Sequence, residues 1–90
     1  MTMKQAVFDD LTAKDYWVTL GVKFGADFLA YTADPLTCHA KYLVIVLPEN
    51  ESKIAATHLV QAERVANTVK KNLLVAFGSV QKIEYFRVTF

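Results

Sequence analysis

Cysteine is nearly absent from this chain, whose 90 residues include only Cys38. One thiol cannot form an internal disulfide, and it excludes a zinc site built from several thiolates. Glycine and proline are also scarce, with three and two residues, and they fall singly between segments of regular hydrophobic spacing. The sequence therefore has no glycine-rich phosphate loop, repeat or linker, and we expect one domain over residues 1–90 with no separate N-terminal domain.

Long apolar runs and a strong excess of either charge are lacking too. No apolar segment approaches the ~20 residues that span a bilayer, and residues 1–5 lack the basic and apolar pattern of a secretory signal. We therefore expect an intracellular protein with no membrane partner. The formal net charge of +1 lacks the basic excess that dedicated nucleic-acid binders usually show. Residues 53–90 nevertheless carry six Lys or Arg against two acids, an asymmetry that is also common by chance.

The hydrophobic spacing predicts an α/β (α+β) domain with the order α-β-β-β-α-β-β. Val7, Leu11 and, less clearly, Phe8 share one side of a short helix over residues 5–15. A second helix is predicted by a stripe of apolar or small residues at 3/4 spacing. The predicted elements are helices over 5–15 and 57–72, and strands over 16–20, 26–32, 38–47, 73–77 and 83–90. This order suits one mixed sheet of about five strands flanked by two helices.

Two side chains that can transfer protons flank the predicted turn at Asp34-Pro35. Tyr31 ends one predicted strand and His39 begins the next, so a hairpin would bring phenol and imidazole to one rim of the sheet. Histidine exchanges protons near neutral pH, whereas tyrosine needs a nearby cation or acceptor before it can act as a base. Spacing alone favours the plainer interpretation that Tyr31 is a half-buried strand aromatic and His39 an ordinary turn residue.

Two cations lie nearly in line on the second predicted helix. Arg64 and Lys71 are seven residues apart, about 10 Å along a helix axis, on the side opposite the apolar stripe. They could hold an RNA phosphate and a neighbouring nucleotide, although a solvated basic face is the commoner explanation. The carboxylates form no spaced set with His or Cys that would predict a metal site.

Three sequence blocks, taken in order, resemble the catalytic domain of tRNA-splicing endonucleases. Residues 24–31 read F-G-A-D-F-x-x-Y, residues 34–39 read D-P-L-x-x-H, and residues 64–71 read R-V-A-N-x-V-x-K. Each block is weakly specific alone, but together they keep the spacing of that family. The resemblance covers about residues 8–90.

The resemblance implies a catalytic triad of Tyr31, His39 and Lys71 in a metal-independent endonuclease that needs no cofactor. It implies cleavage of precursor tRNA at intron–exon junctions, at a bulge-helix-bulge or equivalent fold, giving 2′,3′-cyclic phosphate and 5′-hydroxyl ends. It also implies an RNA-binding clamp, which falls here on Arg64 and on Phe90 in place of the family's tryptophan. Localisation would be cytoplasmic in an archaeon, and nuclear or cytoplasmic in a eukaryote.

The sequence departs from the family at several positions. Thr32-Ala33 replaces a usual Pro-Gly, Asp15 stands where a helix-ending glycine is common, and residues 78–82 are too short to form the acidic loop that some subunits insert into a neighbour. We therefore expect a partner, either a structural endonuclease subunit or a second copy, with the last strand as a candidate for edge-to-edge pairing.

Two alternative functions remain open at this point. One is a non-catalytic structural subunit of a tRNA-splicing endonuclease complex. The other is a metal-dependent nuclease with Asp27 as a ligand, although the sequence supplies no second spaced carboxylate.

Overall fold

A computed structural model describes residues 1–49, 64 and 72–88 of the chain. Helix α1 comes first and is followed by five strands, with a short 3₁₀ helix between the first two. The bounds are α1 Met3–Ala13, β1 Trp17–Leu20, the 3₁₀ helix Val22–Phe24, β2 Phe28–Tyr31, β3 Tyr42–Val46, β4 Asn72–Gly78 and β5 Ile83–Val88. The α+β class and the five strands predicted from hydrophobic spacing are confirmed.

Helix α1 is defined at both ends by local hydrogen bonds. At its start, the Thr2 hydroxyl accepts from the Gln5 backbone N–H at 3.1 Å, and the Gln5 side chain accepts from the Thr2 N–H at 2.9 Å. At its end, the Tyr16 N–H donates to the Leu11 carbonyl at 3.0 Å, and Asp15 takes a left-handed backbone with φ of 69°. This is the usual geometry of a helix that ends on glycine, and here it is formed by an aspartate.

The five strands form one mixed sheet in the order β1-β2-β3-β4-β5. β2 and β3 form the antiparallel hairpin expected around Asp34-Pro35, with Ala30 opposite Tyr42. β3 and β4 run parallel, with Tyr42 opposite Asn72, and the other neighbouring pairs are antiparallel. Among the described strands, β1 and β5 therefore form the two outer edges of the sheet.

Apolar side chains are buried on both faces of the sheet. Val7 and Leu11 of α1 pack onto one face with residues of β2, β3 and β4, and this face is called the α1 face below. The opposite face buries a second cluster that includes Leu43, Ile45 and Leu73, with Tyr31 half-buried against it. The central strand β3 is buried along its whole length, which explains its continuous apolar sequence.

Several expected boundaries differ from the structure. Helix α1 begins at Met3 because the Thr2–Gln5 cap precedes it, and Phe8 is 41% exposed rather than part of the core. The strand predicted from residue 38 begins at Tyr42, because residues before it form a hydrogen-bonded turn.

The predicted second helix lies outside the described residues except at its two described positions. Arg64 is helical, as expected, whereas Asn72 is the first residue of β4 because it pairs with Tyr42.

Candidate active site

Tyr31, the first predicted catalytic residue, lies at one end of the sheet, where β2 ends and β3 and β4 begin. Tyr31 is the last residue of β2 and pairs with Trp17 at the start of β1. Tyr42 and Asn72 begin β3 and β4, and Val88 ends β5 opposite Leu73. We call this end of the sheet the rim. Tyr31 stands there as predicted, half-buried on the face opposite α1.

His39 lies in the ordered connection between β2 and β3, not in a strand as expected. The Asp34 side chain accepts from the Leu36 N–H at 2.9 Å, and its carbonyl accepts from the Thr37 N–H at 2.9 Å, so Asp34-Pro35 forms the predicted turn. The thiol of Cys38 lies 3.5 Å from the Asp34 carbonyl. His39 itself is exposed, whereas the next residue, Ala40, is buried and anchors the connection to the sheet.

The remaining predicted site residues are described only in part. Arg64 is exposed and helical. Lys71 and Phe90 lie outside the described residues. Lys71 is the residue before Asn72 in the sequence, and Phe90 follows Val88 by two positions. The structure thus places Tyr31 at the end of β2 and His39 in the connection that follows it, and the arrangement of the full triad stays a prediction.

A second group of polar side chains occupies the rim on the α1 face. The phenol of Tyr42 is buried and packs edge-to-face with Tyr16 at a centroid distance of 6.0 Å. The Arg87 guanidinium beside it lowers the pKa of Tyr42 below its ordinary value, despite the opposing effect of burial, and Lys41 adds to the lowering. The Lys41 ammonium lies 5.5 Å from the Tyr42 ring centroid, which is within the range of a cation–π contact. Two positively charged side chains, Lys41 and Arg87, therefore lie near the Tyr42 ring at the rim.

A polar cluster away from the rim joins α1 to β5 and was not predicted from sequence. The Tyr85 hydroxyl donates to the Asp10 carboxylate at 2.5 Å, and Lys14 donates to the same oxygen at 2.7 Å. Burial together with the Asp10 carboxylate raises the pKa of Tyr85 well above its usual range. Burial acts to raise the pKa of Asp10, but the hydrogen bonds from Lys14 and Tyr85 outweigh it and lower that pKa. The i,i+4 spacing of Asp10 and Lys14 is a sequence signal for their ion pair. Tyr85 is 75 positions from Asp10, so no local spacing indicates that these two residues meet.

Asp27, the candidate metal ligand, uses both carboxylate oxygens within the fold. One oxygen accepts from the Val46 backbone N–H at 2.7 Å, and the other pairs with Lys4 at 3.1 Å. No group of three or more His, Cys, Asp or Glu side chains that could hold a metal ion occurs within the described residues. The position of Asp27 therefore has a structural explanation that requires no ligand.

The helices were compared with the requirements of a membrane span within residues 1–49, 64 and 72–88. None of their helices combines the length and the apolar composition needed to cross a bilayer.

Comparison with known proteins connects this arrangement to a family. Residues 1–85 match the model of the tRNA intron endonuclease, catalytic C-terminal domain. Proteins named tRNA-splicing endonuclease are similar to the chain: that of Sulfurisphaera tokodaii is 40% identical over 82 residues, which is 89% of this chain and 45% of the relative. Those of Sulfolobus acidocaldarius and Saccharolobus solfataricus are 40% and 41% identical over 70 residues, which is 78% of this chain and 38% of each relative.

The chain thus spans less than half the length of these relatives. The family model covers all described elements except the last residues of β5, including both Tyr31 and His39. This agrees with the resemblance carried by the three sequence blocks. The chain belongs to the tRNA intron endonuclease family, through that family's catalytic C-terminal domain.

Proposed function

We propose that the chain is an RNA endonuclease that cleaves precursor tRNA at intron–exon junctions. The observation that carries the proposal is the family match, supported by the position of Tyr31 at the end of β2 and of His39 in the connection that follows it. The relatives are named tRNA-splicing endonucleases, and their matched regions include the segments that hold these two residues.

The proposed reaction is an internal phosphoryl transfer. Tyr31 removes the proton of the ribose 2′-hydroxyl, and the 2′-oxygen forms a bond to the adjacent phosphorus as the bond to the 5′-oxygen breaks. The imidazolium of His39 gives its proton to the leaving 5′-oxygen. The products are a 2′,3′-cyclic phosphate and a 5′-hydroxyl, and the step consumes no water.

Lys71 is proposed to stabilise the negative charge that builds on the phosphoryl oxygens. Its support is sequence position, because it precedes Asn72, which pairs with Tyr42 at the rim. A lysine near Tyr31 would also favour the phenolate and help the weakest base of the three. We propose that the step needs neither a metal nor a cofactor.

Arg64 and Phe90 are proposed to bind an unstacked base of the RNA, with the phenyl ring as a stacking surface. Arg64 is exposed, as this role requires. Assembly with a structural subunit or a second copy is proposed through β5, which is an outer strand of the described sheet and carries Phe86 at 59% exposure.

The test is incubation of the chain, alone and with a candidate structural subunit, with a precursor tRNA in EDTA, followed by analysis of the product ends. We expect a 2′,3′-cyclic phosphate, and loss of cleavage in Lys71→Ala without loss of the fold. A 3′-hydroxyl product or cleavage that EDTA abolishes would overturn the mechanism.

The same assay separates the alternative, a non-catalytic subunit. If a complex that contains Tyr31→Phe and Lys71→Ala variants cleaves as fast as the unmodified complex, the chain serves assembly rather than chemistry.

A further inference from the structure

Trp17 is the only tryptophan of the chain, and it is 51% exposed. It begins β1 and pairs with Tyr31, the last residue of β2. Residues directly opposite each other on antiparallel strands share a face of the sheet, with Cβ atoms about 4.5–5.5 Å apart. The indole therefore stands beside the phenol that is proposed to remove the proton of the 2′-hydroxyl.

The neighbouring residues indicate the same face for Trp17. Tyr16 and Val18, on either side of it in the chain, pack against the apolar cluster of the α1 face. Because side chains alternate between the two faces along a strand, Trp17 is directed to the opposite face, where Tyr31 packs. Trp17 also borders a groove of about 440 Å³ between β1 and α1, since β1 is the outermost described strand at this edge. The residue is thus accessible at the outer edge of the sheet.

The connection that carries His39 returns to the sheet on the other side of β2. The Lys41 N–H donates to the carbonyl of Ala30, the residue before Tyr31, at 2.8 Å, and β3 begins at the next position. β1 and β3 lie on opposite sides of β2 in the sheet. At the rim, Tyr31 therefore has Trp17 on one side and the end of the connection on the other.

An exposed tryptophan beside a proposed RNA-cleaving residue has the chemistry to hold a nucleobase. Every base presents a flat π face, and stacking on an aromatic ring stabilises a bound single strand with little dependence on sequence. Aromatic side chains are also enriched in protein interfaces. The next residue of β1 on the same face is Thr19, which is polar, so Trp17 does not continue along the strand into an apolar patch of the kind that marks such an interface.

We propose that Trp17 stacks on the base of the nucleotide that carries the attacking 2′-hydroxyl, on the 5′ side of the cut. Tyr31 acts on the 2′-hydroxyl of this nucleotide, whereas His39, in the connection on the other side, acts on the 5′-oxygen of the next one. The nucleotide on the 5′ side is therefore the nearer of the two to Trp17. Stacking holds its ribose against Tyr31 and so orients the hydroxyl for proton removal. The inference rests on the cleavage reaction proposed above and adds a base-binding residue to it.

The test places the fluorescent base 2-aminopurine in a precursor tRNA, on either the 5′ or the 3′ side of the cut. A 2′-deoxy sugar at the 5′ position removes the attacking hydroxyl, so the RNA binds without being cleaved. The chain is assembled with the candidate structural subunit, and emission is measured at saturating protein. Because stacking quenches 2-aminopurine, emission from the 5′ position should be at least about twofold lower with the unmodified chain than with Trp17→Leu. Emission from the 3′ position should be the same for both.

Three variants separate stacking from a structural role. Trp17→Leu keeps apolar bulk but removes the aromatic face, so it should weaken binding of the deoxy RNA about 5–100-fold. Trp17→Phe restores a smaller aromatic face and should recover a large part of that loss. Leu20→Ala, at the other end of the same strand and 76% exposed, is the control and should leave RNA affinity unchanged. Circular dichroism checks each fold, and Trp17→Val, with a side chain that suits strands, replaces a Trp17→Leu variant that does not fold.

Several outcomes would overturn the proposal. They are equal emission from the 5′ position with the unmodified chain and with Trp17→Leu, a stronger response of the 3′ position, and equal RNA affinities of Trp17→Leu and Trp17→Phe. Loss of the structural subunit from the Trp17→Leu assembly, measured by size-exclusion chromatography, would overturn it as well, because Trp17 would then contact a protein.

Failure of this proposal and failure of the proposed function give different results. If the assembly cleaves the all-ribose RNA in EDTA but Trp17→Leu does not change the 5′ emission, the reaction stands and the stacking contact is wrong. If Trp17→Leu changes the 5′ emission but the unmodified assembly does not cleave the all-ribose RNA, the contact stands and the reaction is wrong.

Discussion

The α1 face and the β2–β3 connection illustrate two different ways of holding side chains in this domain. On the α1 face, Val7 and Leu11 are fully buried against the sheet, and the Asp10–Lys14–Tyr85 cluster closes the contact with β5. In the connection, His39 is exposed, and its backbone is held by the Asp34 turn and by buried Ala40.

The difference indicates where stability and chemistry are located. Side chains on the α1 face are fixed by long-range packing, so changing them should alter the free energy of unfolding. Side chains in the connection are positioned by short-range hydrogen bonds and remain accessible, so changing them should alter function with little effect on folding.

The largest effect on stability is expected on the α1 face, where side chains are fully buried. Leu11→Ala removes a side chain that is 2% exposed and leaves a cavity between α1 and the sheet, so it should lower the free energy of unfolding by about 2–5 kcal/mol. Urea denaturation followed by circular dichroism measures this change. Leu36→Ala, at a side chain that is 93% exposed, is the control and should stay within about 0.5 kcal/mol of the unmodified chain. If the two substitutions lowered the free energy of unfolding equally, stability would not depend more on the α1 face than on the β2–β3 connection.

A smaller loss is expected from the polar cluster. Tyr85→Phe removes the hydrogen bond to Asp10 and should lower the free energy of unfolding by about 1–2 kcal/mol near neutral pH. The Asp10–Lys14 pair remains in this variant, which separates the tyrosine's contribution from that of the ion pair.

The pH dependence of stability gives the cluster a second test. The pKa of Asp10 is lowered in the folded chain, so its contribution is present above the unfolded pKa of about 4 and is lost as the pH falls through the folded value. The pKa of Tyr85 is raised, so its contribution is present below about pH 10 and is lost as the pH rises further. Tyr85→Phe should remove the alkaline loss that this group causes. A difference from the unmodified chain that does not change between pH 8 and 11 would show that the tyrosine does not act in this way.

A gain in stability is expected at the end of α1. Asp15 has φ of 69°, a conformation that glycine adopts without a steric penalty, so Asp15→Gly should raise the free energy of unfolding by about 0.5 kcal/mol. This corresponds to a rise in Tm of about 2–4 °C for a domain of this size. Asp15→Val is the control and should be destabilising, because a β-branched side chain fits this conformation poorly. A lower Tm in the glycine variant would contradict the explanation.

The smallest effect on stability is expected in the β2–β3 connection, where His39 is exposed. His39→Ala should change the free energy of unfolding by no more than about 0.5 kcal/mol, because the imidazole is exposed and the turn is held by Asp34. Cleavage of precursor tRNA by the same variant should fall about 10²–10⁴-fold if His39 is the general acid. Retained cleavage would remove His39 from the mechanism, and a large loss of stability would show that the connection supports the fold.

Much of the architecture followed from local patterns. The buried stripe Val7 and Leu11 predicted α1, and the Asp34-Pro35 turn predicted the hairpin of β2 and β3. The predicted boundaries of the elements were less accurate, because capping and turn hydrogen bonds decide where an element starts. The Thr2 cap places the start of α1 at Met3 rather than at residue 5, and the Asp34 turn places the start of β3 at Tyr42 rather than at residue 38.

The candidate site was predicted by a different kind of information. Spacing alone made Tyr31 and His39 more consistent with ordinary residues, and the ordered sequence blocks of the family changed that interpretation. The lowered pKa of Tyr42 beside Arg87, by contrast, depends on a contact between β3 and β5 that no local spacing encodes.

The sequence by itself determined the family, the fold class and the identities of the proposed catalytic side chains, because these depend on residue order and local periodicity. The tertiary structure decided which side chains meet across the sheet. Asp10 meets Tyr85 because α1 packs against β5, and Trp17 stands beside Tyr31 because β1 pairs with β2. The exposure of Leu20 and Val22 is also a tertiary result, since hydrophobicity in a sequence does not distinguish a side chain that is buried in the core from one that is exposed.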